Sequence, residues 1–492
     1  MKKTILSMIC LLQTMTALSQ NTVYDAIAKQ APNYGVYLNA IEQLDYKYFH
    51  SADFVKQIAL IPSDQALLSF VDPASFGTEE TLLWEFHIDN SKPSNQSIYA
   101  DVYACKQNAD GTWTKTGEVL RNITGGVNNQ QIQNRLYHIF RNSIITEPYM
   151  EGKRFYRTRS NSFVCVEKKG SGMNVSASMQ ANLNKSVMVA STQTVDNGTV
   201  VFLDIPLQTT YNNVAKSLEQ HDEFSEFFKV MKASGILKNR TSYGYSPAET
   251  LYGNLVISSG NGANQRTFPL LNSYHYTLYA PTNEAMQEAY SAGLPTVEEL
   301  NAANGDEEKS STITGIMRDF VMYHIQENAL FIDKGANSAE YYSLVAKHFK
   351  RSTGDERSPY GKPYKMKVDV DESSLTITDA QNNKIHVVTQ PGLYNIMANE
   401  YWLSGTNIHD ESFVVIHAID KPLIFSALQF TEDRTEVETG DVNEDGSVDI
   451  SDIVAVINQI AGTATYRYAD VNKDTKVDIS DIVAIINIIA NQ

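Results

Sequence analysis

The C-terminal part of the chain carries the clearest pattern of hydrophobic and polar positions, and this pattern occurs twice. Each copy begins with an acidic stretch and continues with apolar residues at helical spacing. The apolar positions are Ile450, Ile453, Val454, Ile457 and Ile460 in the first copy, and Ile479, Ile482, Val483, Ile486 and Ile489 in the second. The spacing predicts one helix per copy with a single apolar stripe. Neither helix can bury its stripe alone, so we expect the two repeats to pack face to face.

Each predicted helix follows an acidic loop, and no helical pattern precedes either loop. Calcium takes six to eight oxygen ligands, which a twelve-residue loop supplies from positions 1, 3, 5, 7, 9 and 12. These positions hold Asp441, Asn443, Asp445, Ser447 (through its backbone carbonyl), Asp449 and Asp452 in the first loop, and Asp470, Asn472, Asp474, Lys476 (through its carbonyl), Asp478 and Asp481 in the second. The spacing therefore predicts two calcium ions, one in each loop.

The two loops differ at position 6, where a calcium loop turns sharply. Gly446 occupies this position in the first loop and tolerates a positive φ. Thr475 occupies it in the second loop, and a β-branched residue is poorly suited to a left-handed turn. We therefore expect the second site to be the weaker one. Both loops end in Asp, which reaches the ion less easily than the longer Glu of an EF-hand.

Residues 438–492 resemble a type I dockerin, the module that binds a cohesin domain. The duplicated loop, the ligand spacing and the missing first helix carry the resemblance. It implies a small all-α domain and a cohesin-like partner that contacts loop positions 10 and 11, which are Ile450, Ser451, Ile479 and Ser480. The near-identity of the copies implies two docking orientations related by a pseudo-twofold axis. A merely solvated acidic tail has no reason to place acids at ligand spacing twice.

The rest of the chain also repeats an order of signals. An apolar strand leads into a helix, a later helix ends in Tyr-His, and an apolar strand closes the unit. The signals are Ile58 to Leu67, Tyr137-His138 and Asn197 to Leu207 in the first copy, and Tyr276 to Ala285, Tyr323-His324 and Phe413 to Leu423 in the second. They resemble the fasciclin family over residues 211–426 and, in a more divergent form, over 21–208. We expect Phe202 of the first copy to correspond to His417 of the second. The first copy also carries an insertion-like stretch from about Trp84 to Asn128.

The predicted fold class is α+β, with two fasciclin-like mixed α/β domains in tandem and then the small dockerin-like domain. In each larger domain the resemblance implies a small mixed β-sheet wedged against helices. The expected boundaries are a signal peptide at 1–19, fasciclin-like domains at 20–208 and 209–428, a linker at 429–437 and the dockerin-like domain at 438–492.

The expected signal peptide has a basic start at Lys2 and Lys3, an apolar core and the small-x-small cleavage site Ala17-Leu-Ser19. Cys10 raises a lipoprotein alternative, but Ser7-Met-Ile-Cys10 is a poor lipobox. No later stretch reaches the roughly 18 apolar residues of a transmembrane helix. We therefore expect a secreted or cell-surface protein, and the leader and dockerin together suggest a bacterium.

Composition and motifs narrow the function. A net charge of -17 argues against nucleic acid, which needs basic patches. No catalytic signature such as His-Glu-x-x-His or Gly-x-Ser-x-Gly occurs, so we expect no enzymatic activity. The Tyr-His pairs and His417 are more typical of buried structural residues than of catalytic bases. Cys105 and Cys165 could pair, which the sequence does not decide.

The favoured hypothesis is an exported adhesion protein whose fasciclin-like domains bind a matrix protein or glycan, while the calcium-loaded tail docks to a cohesin-like partner. Two alternatives stay open at this point. The body could be a polysaccharide-degrading glycoside hydrolase of a dockerin–cohesin complex, which would need two carboxylates in a cleft. The tail could instead bind within the chain as a calcium-dependent cap.

Overall fold

The computed structural model describes most of the chain. The described residues are 21–51, 56–75, 80–108, 111–169, 172–185, 189–210, 212–239, 249–250, 275–346, 363–399, 403–404, 407–408, 413–424, 439–443, 447–463, 466, 468–472, 474 and 476–491. The expected signal peptide and linker, together with Asp445, Gly446 and Thr475, lie outside the described residues.

The first domain combines short helices with three sheets. Its helices α1 to α5 are Val23–Ala28, Gly35–Gln43, Lys47–Ser51, Gln130–Asn142 and Ser178–Asn182. Its strands β1 to β12 are Gln57–Pro62, Phe70–Val71, Thr81–Ile88, Ile98–Gln107, Trp113–Lys115, Arg121–Ile123, Ile144–Ile145, Lys153–Arg157, Phe163–Lys169, Gly172–Ala177, Val189–Val195 and Gly198–Leu203. The central sheet has the order β11-β12-β1-β7, and β10-β9-β8 form a second sheet.

The second domain is built on one large sheet. Its helices α6 to α10 are Val214–Glu219, Ser225–Ala233, Asn283–Ser291, Val297–Ala302 and Glu307–Tyr323. Its strands β13 to β24 are Lys238–Asn239, Glu249–Thr250, His275–Pro281, Ile325–Glu327, Ala339–Ala346, Pro363–Val370, Leu375–Thr378, Lys384–His386, Ile396–Asn399, Leu403–Ser404, Asn407–Ile408 and Phe413–Ile419. The large sheet has the order β20-β19-β18-β17-β16-β15-β24-β21.

The strand order confirms the internal repeat. In the first domain β1 runs parallel to the closing strand β12 and antiparallel to β7, which follows the Tyr-His helix α4. In the second domain β15 runs parallel to the closing strand β24 and antiparallel to β16, which follows the Tyr-His helix α10. Both domains therefore place the same three sequence signals side by side.

The register corrects one expected correspondence between the repeats. Pro62 and Pro281 each pair with the last residue of the closing strand, Leu203 and Ile419 respectively. Counting back from these pairs, the residue that corresponds to His417 is Val201 and not Phe202. Side chains alternate between the two faces of a sheet, so the one-residue difference moves the position from the helix side of the sheet to the opposite side.

The insertion-like stretch of the first domain folds as an additional sheet. Strands β2 to β5 pair in sequence order, and β6 pairs with β4. The inner face of this sheet, which includes Trp84 and Phe86, is buried against helices α2 and α4. In the second domain the corresponding stretch between β15 and α10 contains helices α8 and α9 instead.

The central sheet of the second domain is covered on both faces. On one face, Leu278 and Ile416 pack against the helices through residues such as Phe227 and Phe320. On the other face, Tyr279 packs with residues of the outer strands of the same sheet. The expectation of a sheet wedged against helices is therefore confirmed.

The two larger domains are in direct contact. The ring of Phe155 in β8 stacks on that of Phe331, with centroids 4.1 Å apart and planes at 8°. The backbone N–H of Phe155 donates to the carboxylate of Asp333 at 2.8 Å. Asn182 pairs through both ends of its amide with the backbone of Met397, at 2.7 and 2.9 Å. A planar amide matched to a backbone at two points fixes orientation as well as distance.

The C-terminal segment contains two helices, α11 (Ile450–Ile460) and α12 (Ile479–Ala490), each after a loop. The predicted loop-helix repeat is therefore confirmed. The small core of this segment joins both helices to both loops, and its buried members are Val442, Val448, Ala455, Val456, Ala469, Val471 and Ile485.

The two repeats pack together as predicted, but only part of each apolar stripe is buried. Ile453, Ile482 and Ile489 pack against the small core, whereas the other stripe residues face solvent. Ile450 and Ile479 are 73% and 72% exposed. The buried face of α11 instead holds Asp452, Ala455 and Val456. At about 100° per residue this face lies opposite the exposed one. The reason is that loop valines fill the core and the buried Asp at the end of each loop turns its own side of the helix inward.

Candidate calcium and docking site

The last residue of each loop is its structural centre. Asp452 is fully buried, and its Oδ1 accepts the backbone N–H groups of Val442 and Asn443 at 2.7 and 3.1 Å. Its Oδ2 accepts the N–H of Asp449 at 2.8 Å. One carboxylate therefore ties the start of the loop to the start of the helix. The short Asp side chain suits this role, because the backbone of residue 452 lies close to the three N–H groups that its carboxylate accepts.

Position 9 of each loop begins the helix. Asp449 is the N-cap of α11, and its carboxylate accepts the N–H of Ser451 at 2.7 Å. In turn, the carboxylate of Asp452, at the third helical position, accepts the backbone N–H of Asp449. This reciprocal arrangement is a capping box. Its hydrogen bonds with Ser451 lower the pKa of Asp449. The acid at this position therefore stays ionised and faces the positive end of the helix dipole.

The second loop repeats these contacts. Asp481 Oδ1 accepts the N–H groups of Val471 and Asn472 at 2.8 and 3.1 Å, and Oδ2 accepts that of Asp478 at 2.9 Å. Asp478 caps α12, and its hydrogen bonds with Ser480 lower its pKa. The near-identical distances show that the sequence repeat is also a geometric repeat.

Loop positions 1 and 3 lie at the start of each loop. Asp441 is buried, whereas Asp470 is half-buried. In the second loop the N–H of Asp474 lies within hydrogen-bond distance of both Asp470 Oδ1, at 3.0 Å, and Asn472 Oδ1, at 2.9 Å. Loop positions 1, 3 and 5 are thus brought together there. The backbone of Lys476 follows directly, with its N–H donating to Asp474 at 2.9 Å and its side chain exposed.

The oxygen-rich loops fit calcium. Asp441 and Asp452 are two carboxylates buried in one small loop, and burying carboxylates is costly unless a cation or hydrogen bonds offset their charge. Among the described residues no three His, Cys, Asp or Glu side chains form a metal cluster on their own. Calcium loops also use amide and backbone carbonyl oxygens. The complete ligand set, which includes Ser447 through its carbonyl, stays a prediction.

Position 11 of each loop is held by position 3. The amide Nδ2 of Asn443 donates to Ser451 Oγ at 2.6 Å, and that of Asn472 donates to Ser480 Oγ at 2.7 Å. An Asn that donates through Nδ2 turns its Oδ1 to the other side. The residue expected to bind metal therefore also orients the serine expected to contact the partner.

Each C-terminal helix presents an exposed apolar face, and we define the two faces together as the docking ridge. Ile450 and Ile479 are the first and most exposed residues of these faces, and Ser451 and Ser480 follow them in sequence. The ridge continues through exposed residues at the next helical turns, which the sequence assigned to the core: Val454, Ile457, Ile460, Val483 and Ile486. The helical spacing from Ile450 was the signal for them, but it did not reveal which side of the helix faces solvent.

Comparison with known families decides the nature of this segment. The model of the dockerin type I domain matches residues 439–490. Residues 439–490 are a dockerin type I domain. Domains of this family bind calcium and dock to cohesin domains. The two oxygen-rich loops and both exposed helix faces lie within this matched segment.

A solved structure is also similar to the chain. It is a FAS1 domain pair from the insect cell adhesion molecule fasciclin I, 14% identical, matched over 79% of this chain and 95% of that chain with a TM-score of 0.24. Among the described residues, no helix is both long and apolar enough to cross a membrane.

Two histidines of the second domain, His324 and His417, are buried, and both of their ring nitrogens form hydrogen bonds. Leu423 N–H donates to His324 Nε2 at 3.0 Å, so the proton resides on Nδ1, which donates to the Phe320 carbonyl at 2.7 Å. His417 lies between the Leu330 carbonyl and the Asn395 N–H, at 2.9 and 3.3 Å. Burial lowers the pKa of His324 to about 3 and that of His417 to about 4. Both side chains are neutral structural links between chain segments.

These histidines predict a loss of stability in acid. Below pH 6.5 the unfolded chain protonates both histidines while the folded chain does not, so the unfolded state binds more protons. The free energy of unfolding should be constant above pH 7 and fall by roughly 1.4 kcal/mol per pH unit for each histidine between about pH 6 and 4.5. Urea unfolding between pH 7.5 and 4.5 measures this slope.

The His324→Gln variant should show a smaller pH slope than the wild type, because one titrating group is gone. His386→Gln is the matched control, since His386 is exposed in the same domain. An unchanged slope in His324→Gln would contradict the assignment of His324 as a buried neutral histidine.

The two cysteines are separate. Cys105 in β4 and Cys165 in β9 are both free and buried, in different sheets. Burial raises the pKa of each thiol to about 12. The open question of a disulfide between them is therefore answered: they do not pair.

Proposed function

We propose that this protein is an exported, non-catalytic binding protein that is anchored to a larger assembly through its dockerin domain. The observation that carries the proposal is the docking ridge, an exposed apolar surface repeated on two helices of a domain whose family docks to cohesins. Exposed apolar patches rimmed by polar residues are typical of protein interaction sites.

The calcium part of the proposal assigns two ions. In the first loop we propose Asp441, Asn443, Asp445, the Ser447 carbonyl, Asp449 and Asp452 as ligands, and in the second the equivalent set from Asp470 to Asp481. Calcium would hold the ligand side of each loop, while the hydrogen bonds of Asp452 and Asp481 hold the side next to the helix. Calcium binding and the shape of the docking ridge are then coupled.

The two larger domains would supply the ligand-binding activity that the dockerin domain brings to the assembly. Two domains that share the order of a first strand, a Tyr-His helix and a parallel closing strand support the fasciclin-like assignment of residues 20–208 and 209–428. We propose that these domains bind a matrix protein or a glycan, and that the dockerin domain brings them to a secreted or cell-surface complex. Release of reducing sugar from polysaccharides by the purified protein would overturn the non-catalytic part.

Docking is tested by affinity measurements with cohesin domains of the producing organism, using the full chain in calcium and in chelator. Binding should require calcium. Changing Ile450 and Ile479 together to Ser should weaken binding at least 100-fold, because each helix then loses its most exposed apolar side chain. Either single change should cost much less, because the other copy still offers an intact surface.

Ile205→Ser is the matched control, because Ile205 is an exposed isoleucine of the first domain, 45% exposed. It should bind cohesin like the wild type. Full binding by the double variant would refute the docking ridge, whereas complete loss in one single variant would refute the twofold use of the two copies.

A further inference from the structure

A cleft of about 220 Å³ lies where the two larger domains meet. One side is the sheet β8-β9-β10 of the first domain together with the turn that follows α5. The other side is the segment from Pro391 to Ile396 of the second domain. Clefts at domain interfaces are preferred positions for small-ligand sites.

The strand register arranges the first-domain wall in two rows. Phe155, Cys165 and Ser176 pair across the three strands and form a buried inner row. Two residues further along each strand, Lys153, Glu167 and Asn174 pair in the same way and form an outer row. Because residues two apart lie on the same face of a sheet, the cleft has an apolar floor below a polar rim.

Two lining residues hold the walls of the cleft in place. Both ends of the Asn182 amide form hydrogen bonds with the backbone of Met397. Both ends of the Asn395 amide form hydrogen bonds with the backbone of Ile332, at 2.9 and 3.0 Å. These four hydrogen bonds position the cleft before any ligand arrives. Preorganised walls reduce the entropy lost on binding.

A second set of lining side chains keeps its polar groups without a hydrogen-bond or ion-pair partner among the described residues, although Lys153 Nζ lies 5.8 Å from the centre of the Phe155 ring. Within the described part of the chain, the side chains of Lys153, Glu167, Asn174, Asn184 and Tyr394 form no hydrogen bond or ion pair. They offer an amine, a carboxylate, two amides and a phenol around one cavity. A surface that only closes a domain interface has no need of so many uncommitted polar groups in a concave position.

The charges around the cleft differ from those of the whole chain. Lys153 and Lys185 are positive and Glu167 is negative, so the cleft has an excess positive charge in a protein of net charge -17. The Lys153 amine can receive a carboxylate, and the amides and Glu167 can pair with hydroxyl groups. The partly buried ring of Tyr394 adds an amphipathic surface against which an apolar ring face can pack.

We propose that this interdomain cleft binds one saccharide ring that carries a carboxylate, as in a uronic acid unit of an acidic polysaccharide. Lys153 binds the carboxylate, Glu167 and Asn174 bind ring hydroxyls, and Tyr394 packs against the ring. The volume suits a ligand of single-ring size, since pockets that bind drug-sized ligands measure about 300–1,000 Å³. This inference deepens the proposed glycan-binding role of the body and is independent of docking.

The test is saturation-transfer difference NMR and titration calorimetry of the full chain in calcium. The probes are D-glucuronate, D-glucose and acetate. Glucuronate should give transfer signals and a measurable affinity, whereas glucose lacks the charge, acetate lacks the ring, and each should bind at least tenfold more weakly. No glucuronate binding, or equal binding of glucose and glucuronate, would overturn the proposal.

Lys153→Met and Tyr394→Leu should each weaken glucuronate binding at least tenfold. Lys106→Met is the matched control, because Lys106 is an exposed lysine on β4. Thermal unfolding of each variant checks that the fold is kept, and Lys153→Gln provides a second, milder change. Glucuronate binding that survives in folded Lys153→Met, Lys153→Gln and Tyr394→Leu would place the ligand elsewhere and refute this site. Cohesin affinity, measured in the same preparations, distinguishes this failure from a failure of docking.

Discussion

Replacing Asp452 by alanine is expected to unfold the dockerin domain and abolish cohesin binding even when calcium is abundant. Asp452 is fully buried, and its carboxylate accepts three backbone N–H groups while standing at the last ligand position of the loop. Alanine removes the loop closure, the capping box and a proposed calcium ligand in one step. Few other single changes in the domain combine so many losses.

The magnitude follows from metal linkage and from the hydrogen bonds. At about 10 mM calcium, a site with a dissociation constant of about 10⁻⁴ M contributes about 2.7 kcal/mol. Each buried N–H that loses its acceptor costs a further 1–3 kcal/mol, roughly. Domains of this small size are only marginally stable, so the sum exceeds what the domain can lose. Chelator should unfold the wild-type domain in the same way.

Hydrogen-exchange mass spectrometry of the full chain measures this prediction, because peptides from residues 439–491 report on the dockerin domain alone. Wild type in calcium should exchange slowly there, and Asp452→Ala should exchange fast with or without calcium. Asn487→Ala is the control, since Asn487 is exposed on α12. Slow exchange in Asp452→Ala in calcium would show that this carboxylate is not the centre of the loop.

Replacing Asp72 by alanine is expected to destabilise the first domain by about 3–5 kcal/mol, the usual cost of breaking a buried ion pair. Asp72 Oδ2 lies 2.7 Å from Arg135 Nη2 and 3.1 Å from Nε, and both side chains are almost completely buried. The guanidinium also lies 4.6 Å from the ring centre of Trp84. Without Asp72, a buried cation remains between helix α4 and the inserted sheet.

Thermal unfolding should show the loss as a lower melting temperature for the first domain, by about 10 °C. The double variant Asp72→Leu with Arg135→Met should recover most of it, because an apolar pair leaves no buried charge. Glu340→Ala removes one partner of an exposed ion pair with Lys365 and should leave stability unchanged. A small effect of Asp72→Ala, with no rescue in the double variant, would contradict a structural role for the pair.

Local sequence patterns were sufficient wherever a feature depends on short-range spacing. The acidic loops and the helices that follow them depend on positions within about twenty residues of each other. The order of strand, Tyr-His helix and closing strand likewise revealed the internal repeat, which the parallel pairs β1–β12 and β15–β24 then confirmed.

The same patterns failed where two sides of one element compete. Ile450, Val454 and Ile457 have the spacing of a buried stripe, yet they are exposed. Burial depends on what the rest of the domain presents to the helix, and here Asp452 and the loop valines occupy the inner side. An exposed apolar helix face resembles a core stripe in sequence, because both have apolar residues at helical spacing.

The sequence by itself determined the loop-helix repeats, the duplication of the body and the burial of His324 and His417. Only the tertiary structure decided which helix faces form the docking ridge, that Cys105 and Cys165 lie in different sheets, and that Lys153, Glu167 and Tyr394 meet in one cleft. The physical reason is range. Ligand spacing and helical periodicity are set by neighbours along the chain, whereas burial and interdomain contact depend on residues that only folding brings together.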